Sequence, residues 1–152
     1  DFAEADVSDV EGFIKSCGLY KTKARDIVLM CQQLRDVFGR TFPDTIEKLT
    51  TLAGVGRKTA NLIVGDLYGK PAIVTDTHVI RITNRLGLSD TKVPEKVEKE
   101  LREVVPEKDG LMLSHRLVWH GRLVCDARKP LCEKCVLYEL CKTKGKGEKP
   151  LK

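Results

Sequence analysis

The sequence contains no apolar run of membrane-spanning length, and no secretory signal is visible in it. The first absence excludes a transmembrane helix. The second weighs against an oxidising compartment and a disulfide framework. No series of alternating strands, no internal repeat and no low-complexity segment precedes the lysine-rich end, which argues against sheet and solenoid architectures. Aromatic residues are scarce at 5%, yet 41% of the 152 residues are apolar, enough for one domain or two small lobes around a core. Charged residues make up 32% and the net charge is +5. Residues 142–152 hold five lysines and one glutamate, a net +4, so the body of the chain is nearly neutral. An anionic partner is permitted but not demanded, and any anion-binding face must come from how charges are arranged.

What is present reads as helix. Ser8-Asp9-Val10-Glu11 has the spacing of a capping box, with Gly18 as a stop. Ala24, Ile27, Val28, Cys31, Leu34, Val37 and Phe38 recur at three- and four-residue steps up to Gly39. Asp44 to Glu47 signals a short helix carrying Ile46, Leu49 and Leu52, followed by a glycine turn and a helix from about 57 to 68. Gly69-Lys70-Pro71 breaks the pattern, and 72–75 reads as an extended connector. Asp76 or Thr77 caps the next helix, which Gly87 stops. Residues 94–105 form a surface helix with Glu95–Lys99 and Glu98–Arg102 pairs, and a last helix spans roughly 111–123. The terminal GKGEKPLK is expected to fray.

Six cysteines carry the strongest chemical signal. Cys17 and Cys31 sit in apolar patterns and are expected to be buried small hydrophobes. Cys125, Cys132, Cys135 and Cys141 fall within seventeen residues as C-x6-C-x2-C-x5-C. Disulfides, structural zinc and a cubane iron–sulfur cluster compete for them. Nothing suggests secretion, and only Cys132–Cys135 forms the knuckle that zinc ribbons use twice. A cluster held by four thiolates tolerates the looser spacing. Between the first two cysteines stands DARKPL, whose Arg128 and Lys129 would be preorganised for phosphate contact by a loop pinned at both ends.

LAGVGRKTAN (52–61) places Gly54, Val55 and Gly56 between two helices, followed at once by Arg57 and Lys58. Glycines allow a tight turn and close approach of a ligand, and the amides opening the second helix carry its positive dipole end. The arrangement is either a plain inter-helix turn or a phosphate site indifferent to base sequence. Lys58 is a phosphate-side cation by default. It becomes a nucleophile only if its amine is neutral, which burial at the helix start would favour, with Asp76 the best carboxylate to shuttle protons.

GLYKTKA (18–24), LAGVGRKTAN, VTDTHVIRITNRLG (74–87), WHGRLVCDARKPLCEKC (119–135) and Cys141 together resemble the endonuclease III family of helix–hairpin–helix DNA glycosylases, in order and over nearly the whole chain. The resemblance implies an all-α, two-lobed fold. Residues 1–70 would form a partial helical barrel lobe with its hairpin at about 52–57, and 71–152 a cluster lobe with a basic tail, the active site lying in the cleft between. It implies a [4Fe–4S] cluster on the four clustered cysteines, Lys58 as nucleophile and Asp76 as the essential aspartate. The partner would be duplex DNA containing damaged pyrimidines or abasic sites, bound by a monomer in the cytoplasm of a bacterium, at the nucleoid. The lesion base would be flipped out, Lys58 would attack the sugar C1′, and β-elimination would cut the strand. Gly54, Val55, Gly56, Arg57, Arg128 and Lys129 would contact DNA. Leu19, in the Cys17-Gly18-Leu19 loop, matches a wedge that probes the stack opposite the lesion, although core packing is equally open to it. His78 and His120 read as hydrogen-bonding structural histidines. A DNA-binding module without catalysis, or a relative that prefers mismatched or alkylated bases, are the alternative readings. Two departures stand out: Ala53 replaces the proline usual in the hairpin, and the helices that precede Asp1 in the family are absent, so the chain reads as truncated, with apolar faces left exposed.

Overall fold

The computed structural model describes residues 2–144. The terminal GKGEKPLK therefore lies outside the described residues. Seven α-helices follow in order: α1 (Val7–Ile14), α2 (Tyr20–Asp36), α3 (Ile46–Leu49), α4 (Arg57–Asp66), α5 (Thr77–Leu86), α6 (Pro94–Val104) and α7 (Gly110–Leu123). Short 3-10 turns occur at 107–109, 132–134 and 138–140, and no strand occurs among the described residues. The all-α reading holds. No helix among the described residues is long and apolar enough to cross a membrane.

The chain divides into two compact units, Asp1–Val64 and Gly65–Lys152. In the first, Val10 of α1 packs with Ala24 and Val28 of α2. A second cluster gathers Leu49, Leu52, Val55, Ala60 and Val64 along the hairpin, with Met30, Leu34 and Phe38 of α2 against it. Leu49 and Ala60 are wholly inaccessible, and each buried Val or Leu side chain contributes about 1.5–3 kcal/mol. The second unit is built on Ile73, Val79, Ile82, Val97, Leu101 and Leu117, so the 72–75 connector, α5, α6 and α7 share one core. Gly110 makes that packing close: a Cβ there would stand 2.8 Å from the Ala72 carbonyl oxygen and 2.7 Å from Ile73.

Three local expectations change. Asp6, not Ser8, caps α1; its Oδ1 accepts from the Ser8 amide and hydroxyl at 2.8 Å each. Those bonds hold the Asp6 carboxyl below its ordinary value. Cys17 is exposed rather than buried, because α1 ends at Ile14 and a turn from the Cys17 amide to the Ile14 carbonyl carries it off the apolar face. Cys31, on α2, is half-buried. Helix α6 is not wholly a surface helix: Val97, Glu98 and Leu101 are buried, and Arg102 pairs with the Glu98 carboxylate at 3.1 Å. Several large apolar side chains stand exposed, among them Phe13, Leu67, Trp119 and Leu123.

Candidate nucleic-acid interface and metal centre

The hairpin is built by short-range bonds. Thr45 caps α3, and the Leu52 and Val55 amides donate to the Leu49 and Leu52 carbonyls at 3.1 Å. Gly54 sits at φ +72°, a left-handed conformation that favours glycine. A Cβ there would also come within 3.0 Å of Asp26 Cβ. Above Gly56 the space is open, with nothing within 4 Å of a Cβ position. The first intrahelical bond of α4 runs from the Ala60 amide to the Gly56 carbonyl at 2.9 Å. The amides before it point out of the helix start together with the positive dipole end.

Ala53 uses an amide that a proline at this position would lack. Gln33 on α2 accepts from the Ala53 N–H at 2.7 Å and donates to the Thr51 carbonyl at 3.3 Å. A side chain from another helix thus ties the turn, and Gln33 is a residue that sequence reasoning missed. Its only signal was a polar residue on a face otherwise turned to the hairpin core.

Lys58 is exposed in the first turn of α4, against the burial that the sequence reading asked for. Arg57 beside it is exposed as well. Val55 is buried in the hairpin core, so this position offers an outside ligand its backbone and not its side chain. Leu19 precedes α2 at φ +60° and ψ 31°, and is 80% exposed. A non-glycine residue held left-handed with its apolar side chain in solvent is strained, a feature that clusters at functional loops.

Lys58 belongs to the first unit and Asp76 to the second. Asp76 is the N-cap of α5: its Oδ1 accepts from the His78 and Val79 amides at 2.9 and 2.8 Å. Both bonds use one oxygen, which leaves Oδ2 outside the cap. The segment leading to it is fixed by the Val74 amide donating to Ser114 Oγ at 3.0 Å, while that hydroxyl donates to the Gly110 carbonyl.

The other end of α5 meets the cysteine loop. Arg81 donates to the Gly121 and Cys125 carbonyls at 3.2 and 2.9 Å, with His78 Nδ1 3.2 Å away. Arg85, buried at 5% exposure, reaches Cys125 Sγ at 3.1 Å and the Asp126 and Ala127 carbonyls at 2.8 and 3.0 Å. Neither arginine was read as part of the site. The available signal was two cations four residues apart on a strongly amphipathic helix. Asp126 turns the loop, its Oδ1 accepting from the Arg128 and Lys129 amides at 2.8 and 2.9 Å. The Lys129 bond, then the Arg128 bond, hold its carboxyl below the usual value. Both basic side chains are exposed.

No disulfide joins any of the six cysteines, so the disulfide reading falls. Cys125, Cys132, Cys135 and Cys141 line one cavity of about 40 Å³, together with Arg85, Val124, Pro130, Leu131, Tyr138, Thr143 and Lys144. Among the described residues, no three His, Cys, Asp or Glu side chains converge where a single metal ion would sit. Four soft thiols disposed around a space suit a multi-atom cluster better than one tetrahedral ion. Burial, then the neighbouring thiols, push Cys132 above the ordinary thiol value. His120 Nε2 lies 3.5 Å from Cys135 Sγ, and burial pushes its imidazole down, favouring the neutral ring.

Residues 1–107 match the HhH-GPD superfamily of base excision DNA repair proteins, and residues 125–141 match the iron–sulfur binding domain of endonuclease III. Endonuclease III of Rickettsia felis is 43% identical over 129 residues, covering 85% of this chain and 61% of its own length. That of Thermotoga maritima is 40% identical over 151 residues, 97% of this chain and 71% of its own length. The structure of a trapped endonuclease III–DNA covalent intermediate superposes with a TM-score of 0.87 at 38% identity, over 93% of this chain and 67% of that one. By fold the chain is thus a member of the helix–hairpin–helix HhH-GPD superfamily. Within that superfamily it belongs to the endonuclease III family, and the cofactor of its 125–141 loop is a [4Fe–4S] cluster. It spans about 61% to 71% of the length of these relatives.

Proposed function

We propose that the chain acts in base excision repair as a DNA glycosylase with associated AP lyase activity, removing oxidised pyrimidines from duplex DNA. The observation that carries this reading is Lys58, an exposed amine on the first turn of α4 directly after the glycine hairpin. Phosphates would rest on the hairpin amides, with the open space over Gly56 admitting the backbone. Exposed Leu19 would wedge into the stack opposite the lesion while the damaged nucleotide is flipped out. Arg128 and Lys129 would grip the duplex from the cysteine loop. Cys125, Cys132, Cys135 and Cys141 would hold the cluster, which supplies a rigid frame for that loop.

The chemistry falls to two side chains. The Lys58 amine, deprotonated before attack, forms a bond to C1′ as the glycosidic C–N bond breaks and the base leaves with a proton. Loss of the amine proton and ring opening give a Schiff base. Removal of a C2′ proton then breaks the C3′–O bond and cuts the strand 3′ to the lesion. Asp76 serves as the proton carrier through the oxygen its cap leaves unused.

Incubating the iron-replete chain with a duplex bearing one thymine glycol tests the reading. Release of the modified base together with a β-elimination product is the expected result. Salt-dependent duplex binding without either product would overturn it and leave a DNA-binding module. Release of mismatched or alkylated bases instead would reassign the substrate.

A further inference from the structure

The cysteine loop is held by a single residue at both of its ends. From the side chain, Arg85 donates to Cys125 Sγ at 3.1 Å and to the Asp126 and Ala127 carbonyls. From the main chain, its carbonyl accepts from the Lys142 amide at 3.1 Å and lies 3.5 Å from Cys141 Sγ. The first and fourth cysteines, sixteen positions apart in sequence, thus meet on one residue of α5. The helix itself is fixed by the core side chains Val79 and Ile82. Arg85 as a residue is 5% exposed, so its charge acts where solvent screening is weak.

We propose that Arg85 is a positioning residue for the iron–sulfur cluster: it clamps the two ends of the ligand loop and, through its charge on the Cys125 sulfur, raises the cluster's reduction potential. The sign follows from electrostatics. One-electron reduction adds negative charge to the cluster, and a fixed neighbouring cation stabilises the more negative state. Hydrogen bonds to ligand sulfurs act in the same direction. The two roles separate chemically. Lysine would keep the charge but not the planar fork that reaches a sulfur and two carbonyls at once. Glutamine would lose the charge.

The inference rests on the cluster assignment, and the test distinguishes the two. The iron-replete chain and its Arg85→Gln and Arg85→Lys variants are compared by film voltammetry, with the electrode supplying the electron, and by the rate of iron loss to a chelator. Arg85→Gln is expected to have a more negative potential and to lose iron on the order of 10- to 100-fold faster, the usual cost of removing a partner of a metal ligand. Arg85→Lys is expected to recover most of the potential while still losing iron faster than the wild-type chain. An unchanged potential in Arg85→Gln, or equal potentials in the two variants when both differ from wild type, would overturn the electrostatic role. Should Arg85→Gln take up no cluster, Arg85→Lys decides: iron loss at the wild-type rate would overturn the clamp, and faster loss at a near-wild-type potential would support it. Wild-type chain without iron and sulfide would sink the cluster reading itself.

Discussion

Ala53 shows how a single amide changes the meaning of a sequence departure. A proline there would stiffen the turn but could not donate to Gln33, whereas Ala53 donates at 2.7 Å. Gln33→Ala is expected to lower stability by about 1–2 kcal/mol in urea denaturation, since it strands a half-buried N–H. The same change in an Ala53→Pro background is expected to cost clearly less, because the donor is gone; an equal cost in both backgrounds would rule out the bond as the source. At this scale the sequence was legible where chemistry is local and opaque where it depends on burial. Gly54 is required by its own φ and could be read from its turn. The exposure of Cys17 could not, because it depends on where α1 stops, three residues before it. Burial of Val55 depends on α2 packing across the hairpin, and so lay outside any reading of the GVG stretch by itself.

At the scale of the element, α5 joins two sites. Its first turn is capped by Asp76 and its last turn carries Arg85 onto the cysteine loop. The cap was legible because Thr-Asp-Thr-His before an amphipathic run is a helix start. The arginines were not, since a cation on a helix normally faces water and only the returning loop reveals its partners. Asp76→Asn and Asp76→Ala separate the structural duty of the residue from its chemical one. Asparagine caps as well as aspartate, so Asp76→Asn should change stability by under about 0.5 kcal/mol, while Asp76→Ala should cost about 1 kcal/mol. Both should depress base release alike if the carboxylate carries the proton. Activity that follows stability, with Asp76→Asn near wild type, would mean that the cap is the whole of its role.

The molecule as a whole presents charge by placement rather than by excess. The body is nearly neutral, yet Arg57, Lys58, Arg128 and Lys129 are all exposed, the first pair beside a helix start and the second on a turn tied by Asp126. Replacing Arg128 or Lys129 by alanine should weaken duplex binding without regard to sequence. It should also lower the slope of log affinity against log salt by about 1 for each phosphate no longer neutralised. A slope unchanged by both substitutions would remove that loop from the interface. The helical class and the order of the motifs were readable because periodicity and cysteine spacing are one-dimensional signals. The division at Val64–Gly65 and the shared core of α5, α6 and α7 come from packing between distant segments. The central claim is that Lys58 is the nucleophile. Its most direct measurement is borohydride trapping on an abasic-site duplex, with the adduct located by peptide mass spectrometry. A reduced covalent adduct on Lys58 is expected, and it is expected to disappear in Lys58→Ala. An adduct of equal yield in Lys58→Ala, or one mapped to another amine of the wild-type chain, would contradict it.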